Sequence, residues 1–392
     1  TASWGRAGTD NIGQFQYMSA YGTGGDAVFG GQNPEIAPGY TETRFPNPNI
    51  TWETSEMFNI GIDASFFNGK LNLEADWFYK KTNDILRERT DMPAILGYKL
   101  PAANVGKVDN RGIDLNITHR NHLRDFNYSI AGNLTWARNK VIDLLEPAGE
   151  KNNPRQRSTG HSMSQYFGYE ALGLFQSDEE ANNWPQPQFG KAKAGDIKYK
   201  DLNGDGKIDS QDRGAFGRSN RPQLTFGLNL GASWKGFDFN AQFTGGALFD
   251  VSMTGTYYNG YDDNTIWTQT FKEAANSPLF LVENAYSIDN PNGSFPRITL
   301  GAPGHGGDNG LSSSFWWRDG KYVRLKSAQI GYTFPKAWMS KLNIENLRIF
   351  VEGSNLFTID GLPEGIAPES PGVNNGYYPQ QRTVMGCLTL TF

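Results

Sequence analysis

The chain has 392 residues, a net charge of -5, and 38% hydrophobic, 13% aromatic and 20% charged residues. No run of 18 apolar residues occurs, which excludes a membrane-spanning helix but not a barrel, whose strands face lipid on alternate residues only. Basic residues are scattered, which excludes a nucleic-acid surface, and the single cysteine, Cys387, excludes an intrachain disulfide.

Ala2 and Trp4 already have strand spacing, and no charged or apolar leader precedes them, so the chain is expected to begin inside a longer protein. Period-2 alternation then recurs. Phe58, Ile60, Ile62, Ala64 and Phe66 alternate with Asn59, Gly61, Asp63 and Ser65. After Asn68-Gly69, a tight hairpin turn, Leu71, Leu73, Ala75, Trp77 and Tyr79 alternate with Asn72, Glu74, Asp76, Phe78 and Lys80. Ile113, Leu115 and Ile117 interleave with Asp114, Asn116 and Thr118. A short link near His122-Leu123 leads to Phe126, Tyr128, Ile130, Leu134 and Trp136. Phe226 to Trp234 and Phe237 to Phe243 flank a tight turn at Lys235-Gly236.

In the next span Val323 and Leu325 share one parity, and Ala328, Ile330, Tyr332 and Phe334 the other, which predicts a bulge near Lys326-Ser327. The chain closes on Val384, Gly386, Leu388, Leu390 and Phe392, alternating with a mostly polar set in which Cys387 faces inward. Long connections are expected through 23–53, 84–106, 141–163, 177–220, 253–320 and 359–381. Short turns at one end, long loops at the other and aromatic residues at strand ends are the layout of an outer-membrane barrel. About twelve spans of ~10 residues are expected. Asp63, Glu74, Asp76, Asp114, Asn229, Asp238 and Gln242 would line the polar inner face. The one helix expected is a turn or two at 179–184.

One segment carries chemistry. Asp201, Asn203, Asp205, Asp209 and Asp212 fall at positions 1, 3, 5, 9 and 12 of a calcium loop; the Lys207 carbonyl serves at position 7, and Gly206 makes the sharp turn. Calcium takes 6–8 hard oxygens, and clustered carboxylates repel one another without it. Position 12 is Asp rather than Glu and the flanks are extended, so the expectation is a staple within an exterior loop (195–215), not a helix-loop-helix sensor.

His119, His122, His161 and His305 show no zinc spacing. The Gly-rich stretch from Gly304 follows no parallel strand, so it is not a phosphate cradle. No nucleophile and base stand together, and no carboxylate pair can be placed on a cleft, so no enzyme activity is expected. Trp184, Tyr257, Tyr258, Tyr261, Trp267, Trp316 and Trp317 lie in long loops, where packing is favoured over stacking on a sugar or peptide.

Several stretches together resemble the SusC-like TonB-dependent transporters. They are Gly195 to Asp209 around the calcium loop, Tyr322 to Pro335, Leu347 to Phe357, Gly365 to Glu369, Tyr378-Pro379, the terminal strand, and Val108 to Gly112 at a strand entry. The resemblance implies an all-β fold, the carboxy-terminal part of a 22-stranded transmembrane antiparallel barrel with long extracellular loops. It places the plug, the TonB box and the first strands outside residues 1–392. It also implies import of oligosaccharides or oligopeptides across the outer membrane of a Gram-negative bacterium, driven through TonB. A SusD-like lipoprotein would form a lid in a two-plus-two assembly. Read without the resemblance, the residues also allow a calcium-stapled β-rich surface binding protein or adhesin.

Overall fold

The computed structural model describes residues 1–10, 14–31, 34–89, 101–187, 190–253, 279–298, 309–363, 366–369 and 380–392. Ten long strands carry the fold: β1 (Ala2–Thr9), β2 (Glu53–Phe66), β3 (Leu71–Arg87), β4 (Ala103–Leu123), β5 (Phe126–Asp143), β6 (Leu224–Trp234), β7 (Phe237–Ala247), β8 (Tyr322–Thr333), β9 (Asn346–Asp360) and β10 (Thr383–Thr391). They belong to one sheet in which each strand lies beside its predecessor in the chain. The β1–β2 pair and every pair from β5 to β10 are antiparallel. Ten of the roughly twelve expected spans thus lie among the described residues.

The tight turns follow from local chemistry. Phe67, Asn68 and Gly69 take φ of 55°, 58° and 84°, and Lys235 and Gly236 take 47° and 93°. Left-handed turn residues of this kind match the right-handed twist of the strands they join. At Gly236 a Cβ would also sit 2.7 Å from the Thr333 carbonyl oxygen. The predicted bulge is present: opposite Gln242 and Phe243 the β8 register steps from Ser327 to Leu325, leaving Lys326 unpaired.

Strands β3 and β5 run further into the long-loop end than the alternation predicts, to Arg87 and Asp143, and β4 begins at Ala103. Thr82 and Asp84 interrupt the apolar pattern, yet they bond across the sheet, Thr82 to Ser55 at 3.3 Å and Asp84 to Thr54 at 3.1 Å. Polar cross-strand pairs extend a strand where apolar periodicity has ended.

The two faces of the sheet differ in kind. Phe126, Trp234, Phe237, Tyr332, Ile349 and Leu388 form one continuous cross-strand row beside the tight turns. The next row is Tyr128, Ala232, Phe239, Ile330 and Val351. These side chains stand open: Ile330 is 58% exposed and Leu388 63%. From Phe126 to Trp136 is about ten residue steps, or ~34 Å along the strand at ~3.4 Å each. Tilted by ~45°, that length projects to ~24 Å, the height of a barrel's lipid-facing band.

The opposite face is polar and bonded to itself. Arg348 donates to Asp238 at 2.6 and 3.1 Å and to Gln329 at 3.0 Å, and Asn116 donates to Glu74 at 3.4 Å. Asn59 donates to Asp76 at 3.5 Å. Asn229 stands opposite Gln242, and Cys387 opposite Phe350, against whose ring Arg348 lies at 4.4 Å.

The chain divides into two compact units, Thr1–Gly61 with Asp76–Gly112 and Ala137–Met163, and Ile62–Ala75 with Ile113–Trp136 and Ser164–Phe392. In the first, two short ladders begin just before the predicted loop at 23–53 and run into it, Ala20–Thr23 with Tyr40–Arg44 and Ala27–Phe29 with Glu35–Ala37. Tyr21, Val28, Phe29, Ile36 and Tyr40 of this segment are all exposed. In the second, the long connections build a core of their own.

Candidate functional site

The loops following β5 and β7 fold around Tyr169, Ile197, Tyr199, Ile208, Phe249, Val251, Met253, Leu281, Phe295 and Trp316, all buried. Short ladders brace it: Ile197–Tyr199 pairs with Ala171–Leu174, and Lys207–Ile208 runs parallel to Gln186–Pro187. The predicted short helix is Asp178–Asn183, capped by the Ser177 hydroxyl accepting from the Glu180 N–H at 3.1 Å. Apolar residues spaced far apart in the sequence therefore give these exterior loops a fixed form.

The expected calcium loop hangs from this core by Ile208, which is 1% exposed. Asp201 accepts the N–H groups of Gly204 at 2.6 Å and Gly206 at 2.9 Å. Those bonds, the one from Gly206 first, hold its carboxyl below the ordinary range against a smaller opposing effect of burial. Asn203 and Asp205 face each other at 3.1 Å, Asp205 accepts the Lys207 N–H at 2.9 Å, and Asp209 accepts from Gln211 at 2.7 Å. Gly206 stands at φ 83°. The donors are all hard oxygens, which suits calcium.

Asp212 behaves differently from the other five. It is fully buried and accepts from the N–H groups of Leu202, Asn203 and Asp209 at 2.8, 3.2 and 2.9 Å. A carboxylate has about four lone-pair positions, so about one is left for an ion. Among the described residues no three His, Cys, Asp or Glu side chains converge as a ready-made metal cage.

Two charged networks, between residues with no spacing in common, tie the loops together. Asp196, fully buried, accepts both Arg297 donors at 2.6 and 3.1 Å, the Asn309 amide at 2.9 Å and the Lys193 N–H at 2.8 Å. Arg324, 4% exposed, reaches Thr358 at 2.9 Å, Glu369 at 2.5 Å and the Gln380 side chain. Burial pushes the Glu369 carboxyl up, but its bonds to Gln380 and Arg324 outweigh that and lower it.

Of the loop aromatics, Trp184 donates to the Tyr199 carbonyl at 2.8 Å under Lys198, Trp316 is buried and donates to Asn309 at 2.7 Å, and Trp317 packs on Tyr166. All three serve the loop core. Tyr257, Tyr258, Tyr261, Trp267 and His305 lie outside the described residues, as do Gly365, Tyr378 and Pro379. His119 leans on Tyr128 at 5.4 Å, remote in the chain from the loop core.

The ten strands lie in one sheet in chain order, and the family model for the TonB dependent receptor-like β-barrel matches residues 2–356. The chain belongs to that family. Its sheet is transmembrane barrel wall. It is 29% identical to TonB-dependent receptor P3 of Formosa agariphila over all of this chain and 39% of that protein. It is 25% identical to TonB-dependent receptor SusC of Bacteroides thetaiotaomicron over 99% of this chain and 37% of that protein. The chain thus spans about two fifths of the length of these relatives. Among solved structures it resembles the RagAB peptide transporter, with a TM-score of 0.70 and 22% identity over 100% of this chain and 40% of that one. The RagAB peptide importer in the closed-closed state gives 0.70 and 23%, again over 100% and 40%. At these identities the likeness bears on the fold.

Proposed function

We propose that this chain is the carboxy-terminal wall of an outer-membrane, TonB-dependent importer of large nutrients in a Gram-negative bacterium. The observation that carries this reading is the continuous outward apolar band, ~24 Å tall, backed by a self-bonded polar face. Such a wall holds polar cargo away from lipid and catalyses nothing. Oligosaccharides or oligopeptides are the proposed cargo; RagAB, a peptide transporter by name, is related in fold. The plug and the TonB-contacting segment are assigned to the part of the longer protein outside residues 1–392.

The packed exterior loops support a SusD-like lipoprotein as lid in a two-plus-two assembly, since a lid needs a fixed surface to close on. The exposed Tyr21, Ile36 and Tyr40 of the 20–44 segment suit such a partner. Calcium is proposed in the 201–212 loop, held by Asp201, Asn203, Asp205, the Lys207 carbonyl and Asp209. Asp212 would join through its remaining lone pair.

The test is purification of the full-length protein from outer membranes. It should require detergent, migrate faster unheated than boiled, and bring a lipoprotein with it. Recovery as a soluble species, with no heat-dependent mobility, would overturn the reading. Native mass spectrometry of the complex against defined oligosaccharides and oligopeptides would then identify the cargo class.

A further inference from the structure

The outward faces of β3, β4 and β5 change character together. On β5 the outward positions are Ile130, Leu134 and Trp136, followed by Arg138 and Lys140. On β4 they are Ile117, Leu115 and Ile113, followed by Arg111 and Asp109. On β3 they are Leu73 and Trp77, followed by Tyr79 and Lys81. The three strands are neighbours in the sheet. Each passes from apolar to charged at the long-loop end, where the band estimated above runs out.

Tyr79, Asp109, Arg111, Arg138 and Lys140 line one cavity of about 400 Å³, with Ser162 at its margin. The margin is fixed: the Gly160 N–H donates to the Val141 carbonyl at 2.9 Å, and Ser162 donates to Asn139 at 3.0 Å. Asp109, the one acid in the lining, accepts the Tyr79 hydroxyl at 2.6 Å. Lys81 stands over the Tyr79 ring at 5.6 Å. Arg111, Arg138 and Lys140 are exposed, and among the described residues their side chains make no salt bridge or hydrogen bond.

Scattered lysines on a water-facing surface need no explanation. These cations differ in two ways. They stand on adjacent strands, where like charges oppose one another. They also occupy lipid-facing positions, so what lies beside them is the headgroup layer. An anion resolves the repulsion, and guanidinium groups grip phosphate oxygens in pairs. An apolar surface begins two residues away on each strand, so the anion that fits carries hydrocarbon.

We propose that this cavity binds the phosphorylated headgroup of an outer-leaflet lipid. Arg111, Arg138 and Lys140 hold the phosphate, and Asp109 with Tyr79 orients the sugar or polyol hydroxyls that adjoin it. The proposal rests on the membrane reading given above. Failure of that reading would show separately, as a protein that stays in solution without detergent.

The test uses the full-length protein in dodecyl maltoside, titrated with lipid A, with lipid A stripped of its phosphates, and with inorganic phosphate. Native mass spectrometry counts the bound lipid. Phosphorylated lipid should bind at least about tenfold more tightly than the stripped form, and the R111Q/R138Q/K140Q variant should lose that preference. A variant with charge kept, R138K/K140R, should retain most of it. Equal binding of the two lipids overturns the proposal. So does inorganic phosphate competing as well as the lipid, which marks an anion site with no lipid specificity. Heat-dependent mobility reports whether each variant has folded; if the triple variant has not, the two-lipid comparison on the unaltered protein decides.

Discussion

Replacing Ile130 by lysine tests the outward band directly. Ile130 is 44% exposed and stands opposite Leu230 in the cross-strand row that continues through Ala241 and Ala328. It lies four residues past Phe126 and six before Trp136, one step from the middle of the band. A lysine on the lipid face costs about 2–4 kcal/mol at mid-bilayer and about 0–1 near the interface. With ~1.4 kcal/mol per tenfold, the folding equilibrium should fall by a factor of roughly 30 to 700. The matched control is Ser129→Lys, one residue away on the polar face, which should cost less than about 1 kcal/mol because water or protein receives the charge. The assay is denaturant-driven folding of the full-length protein into phosphatidylcholine vesicles, followed by tryptophan fluorescence. Equal costs at the two positions, or a larger one at Ser129, would refute the assignment of faces.

Three further outcomes follow from local geometry. Gly236→Ala should destabilise by about 1–3 kcal/mol in the same assay, because φ 93° is strained for alanine and its Cβ meets the Thr333 carbonyl at 2.7 Å; a neutral result would mean the turn can relax. Burial pushes the Glu146 carboxyl up, but bonds from the Thr159 hydroxyl and N–H and from the Ser158 N–H outweigh it, so the folded value lies below the unfolded one. That stabilisation is complete above the unfolded value of ~4.3 and is lost as pH falls through the folded one, so hydrogen-exchange protection at 147–160 should drop between about pH 5 and 3 in the protein but stay flat in Glu146→Gln. Chelation with EGTA should raise exchange around 195–220 while the β circular-dichroism signal persists; collapse of that signal would show that the loop does more than staple itself.

The spans were legible wherever one face was apolar, as at Phe58 to Phe66 and Phe126 to Trp136, because a period of two is set by the pleat itself. The bulge at Lys326 was legible for the same reason, as a change of parity. Strand ends were less so. The outer ends of β3 and β5 are built from polar pairs such as Ser55–Thr82, whose stabilisation comes from partners far along the chain. The ion pairs of Asp196 with Arg297 and Arg324 with Glu369 have no local signature at all. The sharp turn of the 201–212 loop was readable, because Gly206 dictates it. The three backbone N–H groups that Asp212 accepts were not, since nothing in the spacing announces them.

The exterior loops raise a separate physical question, since chains of that length are costly to order and no bilayer packs against them. Lengthening a loop adds little closure cost, about 0.6 kcal/mol per doubling, so length alone does not forbid order. What is needed is burial. Tyr169, Ile208, Phe249 and Trp316 supply it jointly, although they come from the connections on either side of β6 and β7. Neither connection could bury these residues alone. The Asp196–Arg297–Asn309 network fixes the arrangement, because an unpaired carboxylate that deep costs several kcal/mol and few other loop positions satisfy it. The two connections therefore order together or not at all. A lid or cargo touching one of them meets a surface whose shape is set by both, and a defect at Arg297 should be felt at Ile197 and Tyr169 as well as beside it.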